Sequence, residues 1–274
     1  MPSLARSALL AAAPAWLLFG CLVSFNDYPL GALDDGAGMN EGGSGVMLTA
    51  GTGTGGGTPE GATGGGGSEG ATGGTGGGKM AMPAVSENLI DDFEDGDDAI
   101  REHAGRSGIW YVANDGFGPQ TPRAEQPLLP VGLKPARGAS KRGLHTTGGP
   151  FGVWGALIGT ALALDGDEVL PYDLSGYSGV RLWLRAGSQA PGVAQVARVN
   201  FVTPATKDPP SDHFGVDIEL TPEWQQVEVP FESLEQLGFG FPLPAPDLTQ
   251  VLALQFFFER TQAFDLWVDD IELY

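Results

Sequence analysis

His213-Phe214-Gly215-Val216-Asp217-Ile218-Glu219-Leu220 places an apolar side chain at every second position. That period of two belongs to a β-strand with one buried face, and it decides the fold class. The same alternation recurs on both sides of it. Val180, Leu182 and Leu184 alternate with Arg181, Trp183 and Arg185, and Val199 and Phe201 with Arg198 and Asn200. Val227, Val229 and Phe231 alternate with Gln226, Glu228 and Pro230. Leu252, Leu254, Phe256 and Phe258 alternate with Ala253, Gln255, Phe257 and Glu259, and Leu266, Val268 and Ile271 mark a final strand. Turn-forming clusters separate the runs, at 173–179, 204–212, 221–224 and 242–246. Helical periodicity is scarce; Phe231 to Leu237 holds at most a short helical turn. Many short strands with turns between them predict an all-β sandwich or jelly roll over residues 86–274. Residues 112–150, rich in Pro, Gly and base, read instead as a long loop beside one sheet face.

Composition narrows the function. The chain has 274 residues, with 34 acids against 14 bases and a net charge of −20. Six of those acids and two of the bases precede residue 86, so the folded part itself carries −16. Such a charge argues against a nucleic-acid partner, which needs a basic footprint. One Cys excludes an intrachain disulfide framework and a Cys-rich metal site, and only three His remain for imidazole chemistry.

The first 85 residues read as an address and a tether. Arg6 precedes an apolar stretch, Ala8 to Phe19, that is too short to span a bilayer. Gly152 to Leu164, the next most apolar segment, is short and broken by glycines. Leu18-Phe19-Gly20-Cys21 resembles the lipobox of bacterial lipoproteins. That resemblance implies a signal peptide over 1–20, acylation of Cys21 and anchoring in the bacterial cell envelope; Leu22 after the Cys resembles outer-membrane sorting. Several acyl chains hold stably where one is marginal. Residues 21–85 are rich in Gly and Thr, with a short repeat at Glu60 and Glu69, and read as disordered linker. Its expected reach is on the order of 45 Å.

Four phrases carry a second resemblance: Ile90-Asp-Asp-Phe-Glu-Asp-Gly96, Tyr172-Asp-Leu-Ser-Gly-Tyr-Ser-Gly-Val-Arg-Leu-Trp-Leu184, Leu220-Thr-Pro-Glu-Trp-Gln-Gln-Val-Glu-Val-Pro-Phe231 and Phe264-Asp-Leu-Trp-Val-Asp-Asp-Ile271. In this order they resemble the galactose-binding-like jelly rolls, notably family-11 carbohydrate-binding modules. The resemblance implies an all-β, two-sheet jelly-roll sandwich with a concave face that holds glycan, and a structural Ca²⁺ where first and last strands meet. It implies Glu94 and Asp269 as metal ligands, with Asp92 as a further candidate. Read by itself, the run from Asp91 to Asp98 is also an acidic turn at the domain entrance. An EF-hand loop fails: Phe93 stands where an acceptor is needed and Asp98 where an apolar residue is needed.

With the aliphatic side chains inward, the opposite registers carry Arg181, Trp183, Arg185, Arg198, Asn200, Gln255 and Phe257. Planar aromatics beside amide and guanidinium donors are what a sugar needs, because its C–H patches stack on rings while its hydroxyls require paired donors and acceptors. The arginines would make this face locally basic and open to an anionic glycan. The alternative is that the rings are covered by the 111–150 segment and the arginines pair with acids. Trp224, Trp267 and His213 read as packing or structural residues. No G-x-S-x-G or H-E-x-x-H motif occurs. The expectation is a lipid-anchored, non-catalytic carbohydrate-binding protein. The alternatives are a structural or protein-interaction lipoprotein and an accessory module of a glucan-degrading system.

Overall fold

A computed structural model describes residues 86–274; the expected signal peptide, Cys21 and the linker lie outside them. The described chain forms β1 (Leu89–Asp91), β2 (Trp110–Asn114), β3 (Gln120–Thr121), β4 (Val131–Arg137), β5 (Ser140–Gly148), β6 (Gly155–Ala161), β7 (Ala163–Asp165) and β8 (Glu168–Leu170). It continues with β9 (Gly179–Ala186), β10 (Val196–Val202), β11 (Phe214–Glu219), β12 (Gln225–Pro230), β13 (Ala253–Glu259) and β14 (Phe264–Leu273). Two antiparallel sheets form the jelly-roll sandwich. One has the order β12-β9-β14-β5-β3, with β1 also on β14 and β4 on β5; the other is β11-β10-β13-β6-β2.

The alternation read from the sequence sets the interior. Val180, Leu182 and Leu184 of one sheet meet Val199, Phe201, Leu254 and Phe256 of the other in a single core. Phe231–Ser233 is one 3-10 turn, as its short apolar run predicts. Residues 112–150 correct the loop expectation. They hold most of β2 and all of β3, β4 and β5, and β5 pairs with β14 from Phe264↔Gly148 to Val268↔Leu144. Only Leu144 and Thr146 supply the buried side chains of β5, between Lys141, Arg142, His145 and glycines. The strand is held by its ladder to β14, a contact its composition does not advertise. The apolar segment from Gly152 contributes β6, all seven residues of which are buried in the second sheet.

Trp110 is the largest fully buried side chain and ties the first strand to the core. It packs 5.6 Å from Phe93 and 6.4 Å from Phe256, and its indole N–H donates to Asp91 Oδ2 at 2.8 Å. Asp91 Oδ1 accepts from the Phe93 amide at 2.7 Å. Burial nevertheless pushes the Asp91 carboxyl up to about 7. Burial acts the opposite way on His213, whose imidazole falls to about 4 beside the Arg198 cation. Its Nδ1 lies 3.1 Å from Thr206 Oγ1.

These two groups set opposed pH dependences. Between pH 7 and pH 4 the native state holds a proton on Asp91 that the unfolded chain has released, so acidification stabilises the fold through Asp91. Below pH 6.5 the unfolded chain protonates the histidine while the native state does not, so acidification destabilises the fold through His213. Each contributes at most about 1.4 kcal/mol per pH unit, and over pH 6–4.5 they largely cancel. Denaturant melts across that range should show the cancellation lifted by single changes. Asp91→Asn should lose stability on acidification more steeply than the parent, and His213→Gln should gain it. Parallel slopes in all three proteins would contradict this assignment.

Candidate functional site

The residues expected on one sugar-facing surface divide between two. Arg181, Trp183 and Arg185 lie on β9, on the outer face of the seven-stranded sheet. Arg198 and Asn200 on β10, with Gln255 and Phe257 on β13, lie on the outer face of the five-stranded sheet. A sandwich turns these faces in opposite directions, so the seven residues cannot form one platform.

The face bearing Trp183 is spent on internal contacts. Arg181 donates to Glu228 at 2.8 Å and to Glu272 at 2.9 Å, and lies over the Tyr274 ring. The Arg137 guanidinium sits 4.9 Å above the Trp183 ring. Arg185 lies within cation–π reach of both Trp224 and Trp267, at 5.7 and 5.3 Å. Trp267 stacks on His145 at 4.0 Å, and His145 Nε2 lies 2.8 Å from Asp265 Oδ1. Arg185 Nη2 donates to Lys134 O at 2.7 Å, and Trp224 Nε1 donates to Pro135 O at 3.1 Å. These bonds tie β4 to this face as a strap. The expected packing role of Trp224 and Trp267 fits that arrangement.

The opposite face has the chemistry of a binding surface. Its centre is a cluster of Tyr111, Ala113 and Leu157, with half-buried Trp154 and Phe257 packed against it. Trp154 and Phe257 lie nearly parallel, 16° apart, with centroids at 6.3 Å. Asn200 on β10, Gln255 on β13, Gly159 on β6 and Tyr111 on β2 occupy one transverse row. A Cβ at Gly159 would meet both Gln255 Cγ and the Tyr111 hydroxyl at 2.9 Å. The missing side chain lets Gln255 Nε2 donate to that hydroxyl at 3.0 Å. Asn200 Oδ1 is buried and accepts no hydrogen bond among the described residues. The next row brings Arg198 opposite Phe257.

A groove of about 270 Å³ runs beside that row, lined by Val196, Arg198, Asp217, Leu237, Phe257 and Glu259. Arg198 donates to Asp217 at 2.9 Å and to the Gly215 carbonyl at 3.2 Å. Its charge is therefore used, and with Glu259 alongside the groove is not basic as the sequence led us to expect. One groove wall is preorganised by Asp212. Its carboxylate accepts from the Leu237, Gly238 and Gly240 amides at 2.8–2.9 Å. Tyr111, Trp154, Asp217 and Leu237 were not among the expected site residues. The period-2 reading of Trp110 to Val112 is the signal that could have faced Tyr111 outward.

The expected metal ligands also have definite surroundings. Glu94 Oε1 accepts from the Lys141 amide at 2.6 Å, the Arg142 amide at 3.1 Å and Ser140 Oγ at 3.0 Å. These bonds hold the Glu94 carboxyl below the usual range against the opposing effect of desolvation. The same Ser140 hydroxyl lies 2.8 Å from Asp269 Oδ2. The structure thus brings Glu94 and Asp269 together, as expected, between first and last strands. Asp92 instead accepts the Glu94 amide at 3.2 Å. The rest of the acidic run is used the same way: Asp91, Asp95 and Asp97 each accept the amide two residues on.

The donor set does not fit an ion as it stands. Arg137 Nε donates to Asp269 Oδ2 at 2.7 Å, and Arg137 Nη2 donates to Asp270 Oδ2. Glu94 Oε1 faces two amide hydrogens. The guanidinium already supplies the compensating charge to Asp269 and Asp270, and a second cation against it would be repelled. Among the described residues no group of three or more His, Cys, Asp or Glu is arranged to hold a metal.

No protein-family model matches this chain, and no curated protein does either. Solved structures do resemble it. A family 11 carbohydrate-binding module of a Clostridium thermocellum cellulosomal cellulase is 18% identical, with a TM-score of 0.43 over 69% of this chain and 95% of that one. A solution structure of CtCBM11 gives 19% identity and a TM-score of 0.44 over 71% of this chain and 97% of that one. A family 30 module of another C. thermocellum cellulosomal cellulase gives 16% and 0.38 over 68% and 96%. Likeness at this level assigns the chain to no family and no ligand.

Proposed function

We propose that this chain is a non-catalytic carbohydrate-binding protein, held to a bacterial envelope membrane through acylated Cys21, that takes glycan on the outer face of its five-stranded sheet. One observation carries the reading: Phe257, which stacks on Trp154, walls an open groove that Arg198, Asp217 and Glu259 also line. The rings offer stacking surface for sugar C–H groups, and the groove's polar side chains offer partners for sugar hydroxyls. Because Arg198 is already paired and Glu259 lines the groove, the site favours an uncharged glycan over an anionic one.

The full chain in detergent, applied to an array of neutral and acidic polysaccharides, tests this. Binding to a neutral glycan that weakens in Phe257→Ala is expected. An array blank for every sugar, or binding confined to acidic polymers, would contradict it. Retention of the chain in the detergent phase, lost in Cys21→Ala, tests the anchor. A protein-interaction role is favoured by one different observation: Leu237, Phe239 and Phe241 are exposed on the loop that Asp212 holds, Phe241 by 78%. A blank array together with capture of a protein through Phe241 would favour that reading.

A further inference from the structure

The structure assigns to Arg137 the place of a structural cation: its guanidinium closes the first strand's turn and the last strand together without a metal ion. Asp269 is fully buried, and a buried carboxylate needs a compensating charge. Arg137, last residue of β4, supplies it, donating to Asp269 and to Asp270 with its side chain largely enclosed. The β14 backbone is shaped for this double contact. Between Asp269 and Glu272 the ladder to β9 slips, and Asp270 sits at φ +38° in the resulting bulge. Two successive carboxylates thus face one guanidinium instead of alternating across the sheet. Ser140 Oγ then links Asp269 to Glu94, which holds the turn after β1. The Trp183 ring under Arg137 holds the guanidinium from its other side.

The consequence is a closure indifferent to calcium. Removing the guanidinium leaves Asp269 buried without its counter-charge, while Glu94 Oε1 stays engaged by the Lys141 and Arg142 amides.

Thermal melts of the full chain, in EDTA and in about 1 mM calcium, test the inference. The parent should melt at the same temperature in both. Arg137→Ala should melt on the order of 10 °C lower in both, from an unpaired buried charge. Terbium luminescence excited through tryptophan should stay absent in the parent. Arg137→Lys, which keeps a charge but loses the two-pronged donor, should melt lower by several degrees alike in EDTA and calcium. A parent that loses stability in EDTA would overturn the inference. So would terbium luminescence in the parent, or an Arg137→Lys protein that melts with the parent.

Discussion

Trp110→Ala should cost about 4–5 kcal/mol of unfolding free energy, a large part of what a domain of this size has to lose. The indole is 1% exposed and packs against Phe93 and Phe256, so truncation opens a cavity between the two sheets. It also strips Asp91 Oδ2 of its only donor among the described residues, in a site where burial already works against the charged carboxyl. An oxygen left unsatisfied in the interior adds to the lost packing. Because Asp91 without its donor should take up a proton more readily, the loss should shrink as pH falls from 8 to 5. Equilibrium denaturation in urea at both pH values measures this. Trp110→Phe should recover much of the packing but not the hydrogen bond. A loss under 2 kcal/mol, or one independent of pH, would show that this ring does not knit the first strand to the core.

Phe257→Ala should weaken binding of a neutral glycan roughly 30-fold, about 2 kcal/mol, the scale of removing one aromatic stacking surface. Phe257 is the ring shared by the aromatic cluster and the groove, so both parts of the proposed site lose their wall. The fold should tolerate the change. The side chain points away from the core, and its neighbours Phe256 and Phe258 carry the packing. A loss of about 1 kcal/mol in stability is expected, since the ring is only partly buried and lies outside the main core. Calorimetric titration of the variant and its parent reads the affinity, and their melts exclude unfolding as the cause. Unchanged affinity would move the ligand off this face.

The strands were legible wherever both registers differ in chemistry. In β9 and β10 aliphatics alternate with arginine, tryptophan and asparagine, and no other structure places each set on one side. β5 was not legible because its inward side carries only Leu144 and Thr146, and its place depends on β14, more than a hundred residues away. Alternation also says which side chains face outward but not from which sheet. β9 and β10 follow each other in the chain yet belong to different sheets, so Trp183 and Phe257 point opposite ways. Glu94 and Asp269 came together as the phrase resemblance implied. Arg137 stayed invisible, because nothing local marks an arginine 132 residues from its carboxylate as the cation that site uses. The arginines of the expected basic surface stand on outward registers of two different sheets, and the acidic partners of Arg181 and Arg198 become visible only once the strands pair.

The central claim is that ligand lies on the five-stranded sheet and not on the strapped one. Indole N–H resonances in a two-dimensional NMR titration with a bound neutral oligosaccharide read both faces at once. The account predicts that the Trp154 signal moves with saturation while Trp183, Trp224 and Trp267 stay in place. Movement of Trp183 with Trp154 unaffected would contradict it.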